Sequence, residues 1–346
     1  MEIRFGVIGL GKMGLLHTAI FNALDGSVVS AVAEPARLPR SAVKHFLSST
    51  QTFKDCGELL KSSVVDAVVI ATPVSTHIEI ATECVKLGVP FFMEKPLARS
   101  SAEAKPLMQE LAKHPTIHMI GFMTRFVDTF AKVKKILESN VLGEIMRVEV
   151  GIHVGQVFTK GKGWRYDPEI SGGGVLLSQG SHLIDLLLWY FGKVAAVNAR
   201  VTSLYSEKIE DSAHLMLEFE SGLTAWVDCC WSRRFRRTVE TSIEIQGENG
   251  LIIVSDDTLE FYLDKEVENY SAGWTRQTAV DLYRGVEVDI GGPQYTREDL
   301  HFLNALKNDQ LATPGIEEAL RVQSTIDAAY KSARRRGAPE EVLSIT

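Results

Sequence analysis

The chain begins with a short apolar strand that runs directly into a glycine-rich turn. Gly9, Gly11 and Gly14 follow residues 3–8 in the spacing G-x-G-x-x-G. The first glycine permits a tight turn, the second lets backbone amides approach a pyrophosphate, and the third lets the next helix pack closely on the strand. Because such phosphates lie at the positive N-terminus of a helix, this stretch predicts the first unit of a dinucleotide-binding domain.

An acidic residue follows the turn at the separation that such domains use. A predicted helix and a second predicted strand come next, and Glu34 ends that strand, 20 residues after Gly14. At this separation an acidic side chain reaches the adenosine ribose hydroxyls. We predict NAD rather than NADP, because Glu34 would repel a 2′-phosphate, a repulsion that nearby Arg37 and Arg40 would soften. The cofactor contacts predicted in this region are Gly9, Gly11, Lys12, Met13, Gly14 and Glu34.

Composition narrows the possible function classes. A length of 346 residues suggests about two domains, and the net charge of −7 gives no reason to expect nucleic acid or an anionic membrane as a partner. The four cysteines show no C-x-x-C spacing, so we expect free thiols in a reduced compartment and no metal site. Arg4 and Lys12 interrupt the N-terminal apolar run, which argues against a signal peptide and favours a cytoplasmic location.

Apolar strands alternate with amphipathic helices over the first third of the chain. After the second strand, further strands are predicted at residues 66–71, 90–93 and 117–121, with helices between them. Such alternation is typical of a parallel, doubly wound sheet that is covered on both faces. We therefore predict a Rossmann domain over residues 1–122 and a second domain over residues 123–346.

Two junctions in the predicted Rossmann domain fall just after strands, where open α/β sheets bind ligands. One is Thr72-Pro73, with His77 one turn later, and the other is Glu94-Lys95. We predict that these residues contact the cofactor. The alternatives are a surface or capping histidine at position 77 and a solvated lysine in a turn at position 95.

The second domain changes to the period of β-strands. In residues 223–231 every second residue is directed to one face, and turn signals recur at residues 221–222, 249–250 and 256–257. We predict an α+β domain with a large, open, antiparallel-rich sheet between residue 145 and about residue 282. The fold class is therefore α/β, with a doubly wound parallel sheet followed by this second domain.

The C-terminal segment is predicted to be helical. Thr296 and Asp299 have the spacing of a capping box for a helix that runs through residue 308. A second predicted helix covers residues 315–336, which are rich in Ala, Glu and Arg.

A nearly apolar helix is predicted at residues 174–191, entered through three consecutive glycines that begin at position 172. Ser178, His182 and Asp185 lie four and three residues apart, so they would share one face of an α-helix. Polar groups on such a helix need partners or a function. One interpretation is a buried histidine satisfied by Asp185. The glycines favour the other interpretation, because they let a second backbone or a ligand approach closely.

Taken together, these motifs resemble the glucose-fructose oxidoreductase, inositol 2-dehydrogenase and rhizopine-catabolism (Gfo/Idh/MocA) family. The resemblance covers essentially the whole chain. The segments that carry it, in order, are Gly9 to Gly14, Ala71-Thr72-Pro73 with His77, Glu94-Lys95-Pro96, Gly121-Phe122 through Arg125-Phe126, Trp164-Arg165, Gly172 to Gly174, Gly180-Ser181-His182 with Asp185, and the closing helix with Tyr330 and Ser332.

The resemblance implies an N-terminal Rossmann domain, a bound nicotinamide cofactor, and oxidation or reduction at a hydroxyl carbon of a sugar, cyclitol or related polyol. It also implies a homodimer or homotetramer formed through the C-terminal sheet. Lys95 matches the family's catalytic lysine, and His182 matches the histidine that acts as acid/base in many members. The chain departs from the family at Ser178, where Asp is frequent. Around Gln179 it also resembles nucleotide-sugar 3-dehydrogenases that oxidise a UDP-linked N-acetylglucosaminuronate.

The residues support this chemistry without the family. A secondary alcohol loses hydride only if its proton also leaves, and a histidine with an ordinary pKa near 6.5 accepts a proton near neutral pH. Lys95 would stabilise the developing alkoxide. We therefore predict an NAD-dependent dehydrogenase of a sugar, sugar nucleotide, uronic acid or cyclitol. The alternatives are a cofactor-binding regulator without turnover and a glycoside-cleaving enzyme that oxidises its sugar transiently.

Two basic clusters in an otherwise acidic chain suggest an anionic substrate. The first contains Lys160, Lys162 and Arg165, and the second contains four arginines within residues 233–237. Solvated charges or ion pairs are the alternative interpretation. Arginine binds carboxylate or phosphate through two bonds, and Trp164 would stack on a sugar or a base. The predicted substrate contacts are Arg125, Trp164, Arg165, Ser178, His182 and Asp185.

Overall fold

The computed structural model describes residues 2–267 and 269–343, and these form two compact units. The first unit comprises Met1–Met123 and Gly285–Leu320, and the second comprises Thr124–Arg284 and Arg321–Thr346. The segment from 285 to 320, expected in the second domain, therefore packs with the first unit. Its Phe302 lies against the rings of Phe5 and Phe92, at centroid distances of 6.2 and 6.0 Å. Burial of the Phe302 ring against these two rings stabilises the packing of residues 285–320 on the first unit.

The first unit contains a parallel sheet of six strands within the described residues. The strands are β1 Ile3–Ile8, β2 Ser27–Ala33, β3 Gln51–Phe53, β4 Ala67–Ile70, β5 Phe91–Glu94 and β6 His118–Gly121. Their order is β3-β2-β1-β4-β5-β6, which confirms the predicted doubly wound Rossmann topology. Every residue of β4 and β5 is buried, as expected for a sheet that is covered on both faces.

The second unit contains a mixed sheet of nine strands within the described residues. The strands are β7 Ile145–His153, β8 Val194–Thr202, β9 Ser212–Phe219, β10 Thr224–Cys230, β11 Glu240–Gly247, β12 Gly250–Ser255, β13 Thr258–Leu263, β14 Gly273–Thr278 and β15 Glu340–Glu341. Their order is β14-β13-β12-β11-β7-β10-β9-β8-β15. The sheet is mostly antiparallel, as predicted, but β7 pairs in parallel with β10 at its centre.

The α-helices complete both units. They are α1 Lys12–Ala23, α2 Arg37–Phe46, α3 Cys56–Leu60, α4 His77–Leu87, α5 Lys105–Lys113, α6 Asp128–Glu138, α7 Pro168–Ser171, α8 Ser181–Phe191, α9 Ala279–Leu282, α10 Pro293–Lys307 and α11 Ile316–Arg334. Among the described residues, no helix is long and apolar enough to cross a membrane.

Two helical details differ from the predictions. The helix predicted from residue 174 is interrupted, because Leu176–Gly180 is π-helical and the α-helix begins only at Ser181. The capping box predicted at Thr296 is wrong, because this residue lies inside α10 and its hydroxyl donates to the carbonyl of Val288 at 2.6 Å.

Candidate active site

The glycine turn after β1 has the geometry of a phosphate-binding loop. Gly9 has φ of +92°, and a Cβ on Gly14 would lie 1.8 Å from the carbonyl oxygen of Gly9. A Cβ on Gly11, by contrast, would point into open space. Within the described chain, no side chain caps the start of α1 at Gly11. Backbone N–H groups there are open to a ligand, so the turn fits the pyrophosphate of a dinucleotide. Lys12 and Met13 form the first turn of α1.

Glu34 lies against this turn, as the spacing predicts. Its carboxylate accepts hydrogen bonds from the backbone N–H of Leu10 at 2.9 Å and of Ala36 at 2.8 Å. The guanidinium of Arg40 donates to the backbone carbonyl oxygens of Glu34 and Pro35. The acidic side chain is thus fixed beside the glycine turn, and a cationic group lies next to it.

His77 joins the two junctions that were predicted to contact the cofactor. One ring nitrogen lies 2.9 Å from the carbonyl oxygen of Pro96, and the other lies 2.9 Å from that of Thr72. The side chain is buried, which contradicts the alternative of a surface histidine, and burial lowers its pKa. His77 therefore holds Thr72-Pro73 in register with the loop that carries Lys95.

Lys95 directly follows β5, at the carboxyl end of the parallel sheet. The preceding residue, Glu94, is buried and contacts His17 through Oε1 at 3.1 Å. The other nitrogen of His17 lies 2.8 and 2.9 Å from the two carboxylate oxygens of Asp299. Burial opposes the charge of His17, but the two carboxylates raise its pKa well above the usual value. The imidazolium thus fixes the end of β5 just before Lys95.

Sequence reasoning missed this buried charge cluster. His17 lies three residues after Gly14, on the buried face of α1. A polar ring on this face indicates a buried partner. Asp299 was predicted to belong to a capping box, but it pairs instead with His17, which lies 282 residues away in the sequence.

In the second unit, Arg125 and Asp185 bind each other. Nε and Nη2 of Arg125 donate to the two carboxylate oxygens of Asp185 at 2.8 and 2.7 Å, and the Asp185 side chain is fully buried. The guanidinium also lies 5.4 Å from the ring centroid of Trp189. This ion pair contributes to the orientation of α8, which carries Asp185, so Asp185 has a partner other than the predicted His182.

His182 lies near the start of α8 and is buried, with 7% of its surface exposed. Ser178 precedes it in the π-helical segment Leu176–Gly180 and is half-buried. The predicted common face of Ser178 and His182 assumed a continuous α-helix. Because a π-helical turn contains more residues than an α-helical turn, the spacing of four residues no longer implies alignment.

Two of the three glycines before this segment closely approach other parts of the same unit, namely Glu210 just before β9 and Tyr330 on α11. A Cβ on Gly174 would lie 1.8 Å from the backbone oxygen of Glu210, and a Cβ on Gly173 would lie 2.1 Å from the hydroxyl of Tyr330. The carboxylate of Glu210 accepts hydrogen bonds from the N–H of Gly174 and Leu176 and from the hydroxyl of Tyr330. Burial raises the pKa of Glu210, against the effect of these bonds. A second backbone, as one interpretation predicted, thus approaches here.

Trp164 and Arg165 lie on an exposed loop. They belong to a short 3-10 turn, Trp164–Tyr166, and the guanidinium of Arg165 lies 5.5 Å from the Trp164 ring centroid. Nearby Lys160 forms an ion pair with Glu207. A cavity of about 210 Å³ separates part of this loop from the segment around Ser206. The first basic cluster is therefore only partly neutralised.

In the second cluster, two of the arginines are paired. Arg236 pairs with Glu240, and Arg233 contacts His153 at 3.1 Å and Asp228 at 3.8 Å. The ion-pair interpretation thus holds for these two residues. Over the part of the chain that the structure describes, no group of three or more His, Cys, Asp or Glu side chains is arranged to hold a metal ion.

The glycine turn, the anchored Glu34 and the parallel sheet define an NAD-binding Rossmann fold. The profile "Oxidoreductase family, NAD-binding Rossmann fold" matches residues 3–122, and the profile "GFO/IDH/MocA C-terminal domain" matches residues 130–253. The chain therefore belongs to the Gfo/Idh/MocA family of NAD-dependent oxidoreductases, as the motifs predicted.

Relatives and solved structures agree with this membership. Myo-inositol 2-dehydrogenase from Thermotoga maritima is 28% identical over 264 residues, which cover 73% of this chain and 75% of the relative. The structure of levoglucosan dehydrogenase with NADH and levoglucosan matches with a TM-score of 0.89 at 22% identity, covering 99% of this chain and 100% of that one. The WlbA dehydrogenase from Bordetella pertussis with NADH and UDP-GlcNAcA matches with a TM-score of 0.88 at 23% identity, covering 100% and 99%. These structural likenesses show a shared fold.

Proposed function

We propose that this protein is an NAD-dependent dehydrogenase acting on a secondary hydroxyl carbon of an anionic sugar, either a uronic acid or a sugar on a nucleotide diphosphate. The observation that carries the proposal is the position of Lys95. It follows β5 at the same carboxyl edge of the parallel sheet as the glycine turn that fits a dinucleotide. A cation at this edge can stabilise the negative charge that develops on the oxygen of a reacting alcohol.

The roles of the two central residues follow from the bond changes. Oxidation breaks a C–H bond and an O–H bond and forms a carbonyl. NAD, when bound, accepts the hydride. His182 accepts the hydroxyl proton, and the ammonium of Lys95 stabilises the negative charge that develops on the oxygen. Ser178 is too weak an acid or base for either role and supplies a hydrogen bond.

Other predicted site residues position the cofactor and the loop of Lys95. Glu34, which accepts the N–H of Leu10 beside the glycine turn, would bind the ribose hydroxyls, and His77 lies between Thr72-Pro73 and the loop of Lys95. Glu94 contributes to the cofactor site from the end of β5.

The preference for an anionic substrate rests on the loop of Trp164 and Arg165. Arg125 already donates two hydrogen bonds to Asp185, so its guanidinium is engaged within the protein. Arg165 is exposed, and its guanidinium lies 5.5 Å from the Trp164 ring centroid. We therefore assign the substrate's charge to Arg165 and a stacking contact to Trp164.

We further propose a homodimer or homotetramer formed through the open face of the second sheet. Trp226 and Trp274 are 54% and 60% exposed on β10 and β14, and a cavity of about 580 Å³ lies beside Trp226. Large exposed apolar groups mark interaction surfaces. We also propose a cytoplasmic location, since all four cysteines are free thiols in the described structure.

A substrate screen tests the proposed reaction. The purified chain is mixed with NAD and one candidate substrate, and the absorbance of reduced cofactor is followed. The candidates are the pair glucose and glucuronate, the pair UDP-N-acetylglucosamine and UDP-N-acetylglucosaminuronate, and myo-inositol. We expect reduction with glucuronate or with a UDP-sugar, which carry negative charge, and not with glucose or myo-inositol, which are neutral. NAD binding without turnover on any substrate would favour the regulator, and release of an aglycone without net cofactor reduction would favour glycoside cleavage.

The histidine assignment has its own test. His182→Ala is expected to lower kcat about a hundred- to ten-thousand-fold, the usual effect of losing a general base, with NAD affinity unchanged. Ser178→Ala is expected to lower kcat much less. An inactive Ser178→Ala beside an active His182→Ala would reverse the two roles.

A further inference from the structure

The start of the segment that leads into α8 is held by a single acidic residue. Glu210 accepts three backbone N–H groups in sequence order: its carboxylate binds those of Gly174 and Leu176 at 2.9–3.0 Å, and its own carbonyl oxygen binds that of Val175 at 3.0 Å. The first N–H groups of a helix have no partner within the helix. Glu210 satisfies them and places a negative side chain where the helix dipole favours one.

Tyr330 fixes the carboxylate from the opposite side. Its hydroxyl donates to Oε1 of Glu210 at 2.8 Å, and the same hydroxyl lies where a Cβ on Gly173 would stand. Glu210 is buried, and Tyr330 is half-buried. Neither Glu210 nor Tyr330 can therefore move without moving the glycine turn. We name Glu210 and Tyr330 together the glycine latch.

The glycine latch holds the start of the segment that leads to His182. From Gly174 the backbone passes through one π-helical segment, Leu176–Gly180, and then into α8, whose second residue is His182. A π-helical turn is less stable than the α-helical alternative and persists where the surrounding structure imposes it. A shift to α-helical pairing would rotate His182 about the helix axis.

We propose that Glu210 and Tyr330 are positioning residues for the reaction, because by anchoring Gly174 they keep the π-helical segment and hence the orientation of the His182 ring. The inference rests on the proposed role of His182 as acid/base. It also explains the triple glycine: two of its members make room for the latch.

The experiment compares two tyrosines that each lose a single hydroxyl. Tyr330→Phe removes the latch bond, whereas Tyr190→Phe removes a bond of equal length to the carbonyl oxygen of Phe130, from the far end of α8. For each variant we measure the melting temperature, NAD affinity, and kcat and KM with the anionic sugar that turns over in the screen. We also record the ¹³C-histidine NMR resonance of His182. His182→Ala assigns that resonance.

We expect Tyr330→Phe to lower kcat roughly ten- to hundred-fold, the effect of misplacing a catalytic group by about 1 Å, with NAD affinity unchanged. The resonance of His182 and its pH midpoint should move in Tyr330→Phe and stay in place in Tyr190→Phe. If Tyr330→Phe does not fold, Glu210→Asp, which keeps the charge but shortens its reach, is expected to give the same two changes.

Two results would overturn the proposal: equal losses of melting temperature in both tyrosine variants with kcat at the level of the unaltered protein, or an unmoved His182 resonance in Tyr330→Phe. Failure of the proposed function is a separate result. An active His182→Ala would remove the acid/base role, while the NMR comparison would still decide whether the latch orients the ring.

Discussion

Arg125 and Asp185 are joined by two parallel hydrogen bonds of 2.8 and 2.7 Å, with the carboxylate fully buried and the guanidinium nearly so. Removing two charges from water costs free energy, and the attraction between the two charges offsets part of that cost. Both residues were predicted to touch the substrate. Their mutual engagement gives them a measurable structural role that does not depend on any ligand.

We expect Arg125→Ala to lower the free energy of unfolding by about 3–5 kcal/mol, because it removes the guanidinium that is paired with the buried Asp185 carboxylate. Chemical denaturation monitored by tryptophan fluorescence measures this loss. Arg147→Ala is the matched control, since it removes an arginine from an exposed ion pair with Glu149 and should cost about 0–1 kcal/mol. Similar losses in the two variants would show that the buried pair contributes nothing beyond its surface counterpart.

The anchored carboxylate of Glu34 predicts the choice of cofactor. The unaltered protein should have a higher kcat/KM for NAD than for NADP, and Glu34→Ala should lower kcat/KM for NAD roughly ten-fold while lowering that for NADP less. Glu58→Ala, which alters an exposed glutamate on α3, should leave both values unchanged. The assignment is wrong if the unaltered protein prefers NADP.

Asp256 predicts how stability depends on pH. Burial raises its pKa to about 6, although its carboxylate accepts the N–H of Thr241 at 2.7 Å. Between the ordinary value of 3.8 and about 6, the unfolded chain has lost this proton and the folded chain keeps it. Stability should therefore fall as pH rises through this window, by on the order of 2 kcal/mol, and the contribution should stay constant above it.

Asp256→Asn isolates that contribution. The amide still offers an oxygen to the Thr241 N–H but does not titrate, so the decline in the free energy of unfolding between about pH 4 and pH 6 should become shallower. Asp257→Asn, at the exposed neighbouring position, is the control that should keep the original slope. Denaturant midpoints measured across the window decide between a titrating Asp256 and some other source of the slope.

Local patterns were sufficient to predict the parallel sheet of the first unit, because the signal for each strand lies within a few residues. In the second unit, alternation in β10 buries Ala225, Val227 and Cys229, as predicted. The three hairpins predicted at residues 221–222, 249–250 and 256–257 also occur, between successive antiparallel strands.

Features that depend on distant partners were missed for a physical reason. The bond of His17 to Asp299 spans 282 residues, and that of Tyr330 to Glu210 spans 120. A spacing of three or four residues assumes one helix period, so it could not show the π-helical segment before His182. The triple glycine predicts a close approach, but the residues that make it, Glu210 before β9 and Tyr330 on α11, are distant in sequence. The sequence alone therefore does not say whether a backbone or a ligand comes close.

The loop that carries Arg165 offers an exposed cation to an anionic substrate. Of the cations in the first basic cluster, Lys160 already pairs with Glu207, whereas the guanidinium of Arg165 is exposed and lies over the Trp164 ring. A planar cation held against an aromatic ring is pre-ordered for two parallel bonds to a carboxylate or phosphate. The substrate's negative charge should therefore be bound at Arg165, with Trp164 stacking on its sugar or base.

Arg165→Ala should raise KM for the anionic member of a substrate pair by the equivalent of about 1.5–3 kcal/mol, roughly ten- to a hundred-fold, because a charged hydrogen bond is lost. KM for the neutral member should change little, and added salt should weaken only the anionic reaction. Lys160→Ala is the control, since this lysine lies on the same loop but is already paired with Glu207. Equal turnover of neutral and anionic sugars, insensitive to both salt and Arg165→Ala, would exclude a charged substrate.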